Sequence, residues 1–567
     1  MNDMRRTLLW VIFTMSLVML WDGWNRHNGH ASMFSPAPAA AVAKAASAAA
    51  SASTSATALA AATPASGLAP ADGAASAAAP ALPREEVRIK TDLVNATFDT
   101  RGGDLVGLEL LQHRDSTDRS QNVKLFTRGG ERFYAAQTGL IPAQGAPALP
   151  NHLTVMKLAS ASRELAAGQD SLAVRFESPE VNGVQLVKTY TFKRGVYTVD
   201  VTHELVNRSA AAVAPQLYLQ LVRDSHVEST GNSMAPSAFT GPAFYNETSH
   251  FKKIAFGDLD KKKVDPIADA DNGWVAMVQH YFTSAWIPQG NISRKFQTER
   301  LEADVNGVPT YRAALLMTLG PVAPGSSVKN SATLYAGPQE ENKLAAIAPN
   351  LELVKDYGIF KVISEPLFWL LDHLHTLIGN WGWAIMALVV LLKIAFYWLN
   401  ASAYRSMAKM KAINPRVQEL RERYKDKPQQ MQQEMMRIYK EEKVNPLGGC
   451  LPIFVQMPVF IALYWVLLST VEMRDAPWIG WIHDLSTKDP YFILPLLMTG
   501  SSLLQVWFQP APADPVQAKM MWVMPLAFSA MFFVFPSGLT LYYLTNNLLS
   551  IAQQWFITRQ IEGSVKK

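Results

Sequence analysis

Lys393 asks most of its surroundings, standing as the one charge in the apolar run GWAIMALVVLLKIAFYWL. At roughly 1.5 Å per residue it lies about 20 Å along a helix that starts at Asn380, and about 10 Å from that helix's far end. A lysine at the centre of a membrane helix costs roughly 2.5 to 3.5 kcal/mol, so its ammonium either reaches a wet cavity or stretches to the nearer surface. Spacing alone leaves both open. A second signal comes from the last apolar run, where Thr540, Tyr543, Asn547, Ser550 and Gln554 recur at intervals of three and four, along one helical stripe. Tyr542, Asn546 and Gln553 widen it. Gln456, Ser501, Ser502, Gln505 and Ser529 add polar side chains in three further runs. Such residues either bond neighbouring helices together or line a shared hydrophilic cavity. The cavity reading gives them weak, reversible chemistry: one positive charge and several hydrogen-bonding groups held within apolar walls.

Covalent chemistry finds little support. Cys450 is the single cysteine, so an intrachain disulfide and a cysteine metal cluster are both excluded. There is no G-x-x-x-x-G-K-[ST] phosphate loop and no H-E-x-x-H zinc motif. His113, His203 and His280 have no ligand spacing and read as surface or core histidines. No cofactor, no metal and no specific nucleic-acid ligand is expected.

These residues need elements to hold them. Hydrophobic residues make up 49% of the chain and charged ones 17%, which suits a protein part membrane-embedded and part soluble. Five runs approach the roughly 20 residues a membrane helix requires: Trp381–Leu399, Leu451–Val471, Tyr491–Phe508, Met521–Phe535 and Leu539–Ile557. Another apolar run follows Arg5 and Arg6 and lacks a small-residue cleavage site after it, so residues 1–21 are expected as an uncleaved anchor. Residues 22–83 follow as a tether, with Lys44 and Asp72 the only charges from residue 35 onward. From 84 to 340 the period becomes two, as in VQLVKTYTF, YTVDVTHELV, QLYLQLV and RAALLMTL, and predicts a large all-β sandwich. Residues 350–379 read as an amphipathic helix lying in the membrane interface.

Charge sets the orientation. Residues 401–445 carry 11 Lys/Arg against 6 Asp/Glu, whereas the loop 472–490 carries 2 basic residues against 4 acidic ones. The basic segment is therefore expected in the cytoplasm and the β domain outside. That segment reads as a helical hairpin turning at KDKP, between the helix 380–400 and the four helices within 446–557. Residues 558–567 form a short basic cytoplasmic tail. Anionic headgroups or a partner are the expected contacts of the hairpin, through Arg405, Lys409, Arg421, Arg423 and Lys425.

The segments SMAKMKAINPRVQELRERY, QEMMRIYKEEKVNPLGGCLPIFVQMPVFIALYWVL, WIHDLS, DPYFILP and FPSGLTLYYLTNNL resemble the YidC membrane protein insertases of Gram-negative bacteria. The resemblance covers most of the chain after about residue 350, and the anchor, tether and β domain match the Gram-negative architecture more loosely. It implies a polytopic α-helical inner-membrane protein with six transmembrane helices and both termini cytoplasmic. Five of those helices would form the insertase core, and the all-β sandwich would lie in the periplasm. The core would hold a hydrophilic groove open to cytoplasm and lipid. In the family the first core helix usually carries an arginine in that groove, and the matching position is Lys393, which keeps the charge without the planar donor fork. Paired tyrosines of the last helix, matched by Tyr542 and Tyr543, would contact the inserting segment. A proline common soon after the basic position is Trp398 here, so no kink is expected there. The expected groove set is Lys393, Gln456, Gln505, Tyr542, Tyr543, Asn546, Asn547 and Ser550. Expected partners are nascent membrane proteins, the Sec translocon, the lipid bilayer, and the ribosome with the signal recognition particle pathway. The rival readings are a secondary transporter of a small solute, which would predict repeated, Gly/Pro-broken halves, and a translocon chaperone that inserts nothing itself.

Overall fold

The computed structural model describes residues 84–565 apart from 117, 131, 228–237, 302–307, 425–426, 443–450 and 510–514. The expected anchor and tether, Lys425 and Cys450 lie outside the described residues. The described chain forms two compact units that divide after Lys355.

In the first unit, alternation becomes pleat. Along Ser171–Glu177 the side chains of Leu172, Val174 and Phe176 turn inward while their neighbours stay at the surface. The strands build two antiparallel sheets. One has eight strands in the spatial order Glu86–Lys90, Val94–Asp99, Asp104–Arg114, Asn122–Gly129, Arg132–Ile141, Gln216–Asp224, Thr310–Thr318 and Arg294–Arg300. The other has nine: Lys252–Lys253, Gly241–Tyr245, Trp274–Gln279, Phe282–Pro288, Ser327–Pro338, Thr198–Asn207, Val184–Lys193, Ser171–Glu177 and Lys157–Leu158. Asn182 and Gly183, at φ 50° and 78°, make the two-residue turn whose backbone twist suits a hairpin between Val181 and Val184.

The two sheets share one apolar core, with Phe98, Phe176, Trp274, Trp286, Tyr311 and Leu315 inside it. Polar bridges cross it. Trp286 Nε1 donates to Gln220 O at 3.2 Å. The buried Lys188 ammonium donates to Gly102 O at 2.6 Å, Thr138 O at 2.8 Å and Asp104 at 2.9 Å, so all three of its donors are used. His203 is a core histidine, its Nε2 2.9 Å from Thr138 Oγ1. Burial, helped by the nearby Lys188 charge, drives its pKa down to about 3.

This core runs past residue 340. Leu344 on the short helix Glu341–Ile347, and Leu351 and Val354 on the turn Leu351–Val354, are buried in it. The expected interfacial helix over 350–379 is therefore shorter. Asn350 and Gly358 take positive φ, and the helix proper, α1, spans Lys361–Ile378.

The second unit is helical, and α1 packs Leu367, Phe368 and Leu371 inward while Val362, Trp369 and Leu377 stay exposed. It ends at Gly379, whose φ of 76° lets its N–H reach His375 O at 2.7 Å. Asn380 then caps α2, Trp381–Ala395, by accepting from Trp383 N–H at 3.2 Å. Here the expectation of one straight span over Trp381–Leu399 fails. The chain bends by 67° at Phe396, and α3 continues over Tyr397–Arg423, carrying the first arm of the hairpin. Phe396 closes α2 by bonding its N–H to Leu392 O and opens α3 by accepting from Asn400 N–H. No proline is involved.

The second arm, α4, spans Pro428–Glu441, with proline at the first turn where its missing N–H costs nothing. Arg416 on α3 pairs with Glu442 at 2.7 Å. The remaining helices are α5 (Leu451–Ser469), α6 (Ile493–Phe508), α7 (Pro515–Ser529) and α8 (Ser537–Val565). Asp489, itself buried, starts α6 by accepting from Leu494 N–H at 2.7 Å while also holding Trp481 Nε1 at 3.0 Å. Ser537 bonds its N–H and hydroxyl to Thr487 O, which ties the start of α8 to the same loop. Buried Met473, Ile482 and Leu485 of that loop join Leu388, Leu463 and Leu539 in an apolar cluster.

Among the described residues no single helix is long and apolar enough to cross a membrane. The bent pair Trp381–Ala395 and Tyr397–Met410 meets the requirement together. Outward faces nonetheless carry large apolar side chains, with Trp398 78%, Trp507 67% and Ile394 65% exposed. Apolar surface of this extent needs a cover, and lipid supplies one.

Candidate functional site

A cavity of about 440 Å³ lies within the helical unit. Lys393 enters it from the last turn of α2. Asn400, Tyr404 and Met407 line it from α3; Gln456, Met457 and Phe460 from α5; and Gln505 and Phe528 from α6 and α7. The α8 wall supplies Tyr542, Tyr543, Asn546 and Ser550. A side recess of about 20 Å³ beside Lys393, Gln456 and Asn546 matches the room one water needs.

The polar groups are linked to each other. Lys393 Nζ donates to Ser550 Oγ at 2.7 Å, and Ser550 Oγ donates in turn to Asn546 O at 2.7 Å. Gln456 Nε2 donates to Asn546 Oδ1 at 3.1 Å. No carboxylate lines the cavity, and none pairs with Lys393 among the described residues. The ammonium is thus held by one neutral oxygen, that of Ser550, on the lining of the cavity. Tyr543 sits in an aromatic cage with Phe460 and Phe532, both at 4.6 Å between ring centroids. Among the described residues its buried hydroxyl has no hydrogen-bond partner.

The structure brings together Lys393, Gln456, Gln505, Tyr542, Tyr543, Asn546 and Ser550 around one cavity. Asn547, also expected there, does not line it. Its amide donates to Ser502 Oγ at 2.9 Å and to Ser501 Oγ at 3.3 Å, and so stitches α8 to α6. Gln554 likewise donates to Phe508 O at 3.2 Å. A helix turns roughly 100° per residue, so the polar arc of α8 is wide enough to serve two neighbours. Tyr542, Asn546 and Ser550 form its cavity edge, and Asn547 and Gln554 its packing edge.

Asn400, Tyr404 and Met407 were not expected. They follow Lys393 at intervals of 7, 11 and 14 residues, a one-face pattern that the span boundary at Leu399 concealed. Of the hairpin cations, Arg405, Lys409 and Arg423 are exposed, whereas Arg421 is half-buried beside Tyr439 of α4.

An antiparallel β-sandwich joined to helices with exposed apolar faces that surround a cation-bearing hydrophilic cavity defines a class of membrane-embedded protein with a large β domain. A family model described as YidC periplasmic domain matches residues 86–370, and one described as 60Kd inner membrane protein matches residues 373–564. The membrane protein insertase YidC of Ralstonia nicotianae is 50% identical over 566 residues, which is 100% of this chain and 99% of the relative. That of Cupriavidus metallidurans is 51% identical over 560 residues, covering 99% and 98%. A crystal structure described as active YidC insertase with the first transmembrane domain resolved aligns with 82% of this chain and 91% of its own, at 18% identity and a TM-score of 0.38. The chain belongs to the YidC membrane protein insertase family.

Proposed function

We propose that this chain inserts nascent membrane proteins into the inner membrane, using the cavity between α2, α3, α5 and α8 as a half-way site. The carrying observation is Lys393, a cation with no acidic partner among the described residues, on the wall of a hydrated-size space inside apolar helices. A substrate's hydrophobic segment slides along the exposed apolar faces while its polar flank rests against Lys393, Gln456 and Asn546. This lowers the desolvation barrier for the flank, and partition of the apolar segment into lipid supplies the net driving force. On this reading the packed apolar cluster around Leu485 and Leu539 bars the flank from a continuous aqueous pore.

The same reading gives six crossings, with both termini cytoplasmic, the β unit periplasmic and α1 in the interface. The 67° bend lets α2 and the first turns of α3 share one crossing. The exposed Arg405, Lys409 and Arg423 offer the hairpin to anionic headgroups, to the ribosome or to the signal recognition particle pathway, and cooperation with the Sec translocon belongs to this reading too. The test is insertion of a short single-span substrate, with acidic or neutral flanks, into liposomes holding the purified protein. Lys393→Ala is expected to slow acidic-flank insertion roughly tenfold, with a smaller loss for neutral flanks, and Lys393→Arg to retain both. Equal loss for both flanks removes the electrostatic role; no insertion by the intact protein removes the function.

A further inference from the structure

Ser550 sits where the bent span crosses the last helix. Its hydroxyl accepts from Lys393 Nζ at 2.7 Å, above the bend at Phe396, and its carbonyl accepts from Tyr404 OH at 3.5 Å, below it. The hydroxyl proton is committed elsewhere, to Asn546 O at 2.7 Å, so the oxygen presents its lone pairs to the ammonium. Ser550 is buried, at 4% exposure, and its position on α8 is fixed by the helix itself.

We infer that Ser550 is the positioning residue for the cavity's cation: it fixes the Lys393 ammonium against α8, so that the two remaining N–H donors point to the acidic flank of an entering segment. This rests on the reading of Lys393 as the groove's cation. A lysine has four rotatable stem bonds and, unlike arginine, no planar fork to set its direction. Without an anchor, the ammonium would spread over the cavity or reach for the headgroups about 10 Å away. A neutral oxygen suits the task better than a carboxylate, because it orients the charge without cancelling it. The Tyr404 contact holds the lower half of the span to the same residue, so the bend and the charge keep one register.

The test compares insertion of acidic-flank and neutral-flank substrates by proteoliposomes holding the wild type, Ser550→Ala, Ser550→Thr, Lys393→Ala and the Lys393→Ala/Ser550→Ala double variant. Ser550→Ala is expected to reduce the ratio of acidic-flank to neutral-flank insertion roughly three- to tenfold, the net worth of one typical hydrogen bond. Ser550→Thr, which keeps the hydroxyl, is expected to restore the ratio. In the Lys393→Ala background, Ser550→Ala is expected to change the ratio no further, because the group it positions is gone. A Ser550→Ala loss equal for both flanks, or one that persists in full without Lys393, overturns the positioning role while leaving Lys393's own role intact. A ratio unchanged by Lys393→Ala overturns the reading of Lys393 itself, and the inference with it.

Discussion

At the scale of single residues, the chain treats its buried bases in opposite ways. Lys188 is closed in by three oxygen acceptors and holds the Arg101–Asp104 turn to the opposite sheet. Lys393 is left with donors to spare beside an open space. The first arrangement spends every hydrogen bond on the fold, and the second keeps some for a visitor. His203 belongs with Lys188, and its depressed pKa has a consequence for stability. In the unfolded chain the imidazole takes up a proton below about pH 6.5, whereas the folded chain resists until about 3. The unfolded state therefore binds more protons throughout that window, and stability falls as the pH falls. The term is fully present above pH 6.5 and amounts to about 3 kcal/mol lost by pH 4. His203→Gln removes it. The urea midpoint for loss of protease resistance in the β unit is expected to drop more steeply between pH 6.5 and 4 in the wild type than in the variant. Parallel curves would show that His203 titrates normally. The strand Thr198–Asn207 carried the signal for this burial, since His203 shares its face at period two with Val199, Val201 and Leu205. What the sequence could not supply is the Thr138 hydroxyl and the Lys188 charge that the opposite sheet and the next strand bring to it.

At the scale of elements, periodicity identified the strands and most of the helices but not where helices stop. The runs VQLVKTYTF and QLYLQLV lie within the strands Val184–Lys193 and Gln216–Asp224, the first alternating between core and surface over much of its length and the second buried from Leu217 onward on both faces. The α2–α3 junction was hidden. Phe396 is neither proline nor glycine, and its apolar neighbours continue without a break, so local chemistry gave no signal for the 67° turn. The α8 arc was legible as polar, but its division between cavity and α6 depended on which helix lay beside each edge. The bend yields its own prediction. Trp398 stands in the first turn of α3, where a backbone N–H has no intrahelical acceptor, and its side chain is 78% exposed. Trp398→Pro therefore removes no helical hydrogen bond, and expression and insertion rate are expected to stay within about twofold of the wild type. Val389→Pro, in the buried middle of α2, loses a bond and clashes with the preceding turn, at about 3 kcal/mol or more. It is expected to abolish stable accumulation. If Trp398→Pro is equally damaging, the two helices are coupled through Phe396 more tightly than their hydrogen bonds indicate.

At the scale of the whole molecule, the division into two units separates the helical unit that holds the cavity from the β unit that lines none of it. Composition revealed the two classes of structure, and the basic 401–445 against the acidic 472–490 revealed their expected sides, because charge and apolar run length are properties of the chain itself. The exact seam was not legible. Residues 341–354 look like the approach to the membrane helices, yet Leu344, Leu351 and Val354 complete the β core. This decides how the units can be parted. A deletion of residues 90–330 would leave most of the strand Ser327–Pro338 and those three apolar side chains without their partners, exposing surface that invites aggregation. A deletion of residues 84–355 removes one entire core and leaves the other whole, since every residue lining the cavity lies after Lys355. The shorter protein, with its first 83 residues joined to Asp356, is expected to accumulate in the membrane and to insert a short single-span substrate at no less than about a third of the full-length rate. The 90–330 deletion is expected to be degraded or aggregated. Loss of insertion by an 84–355 deletion protein that remains soluble in detergent and protease-resistant in its helical unit would mean that the β unit takes part in the reaction itself.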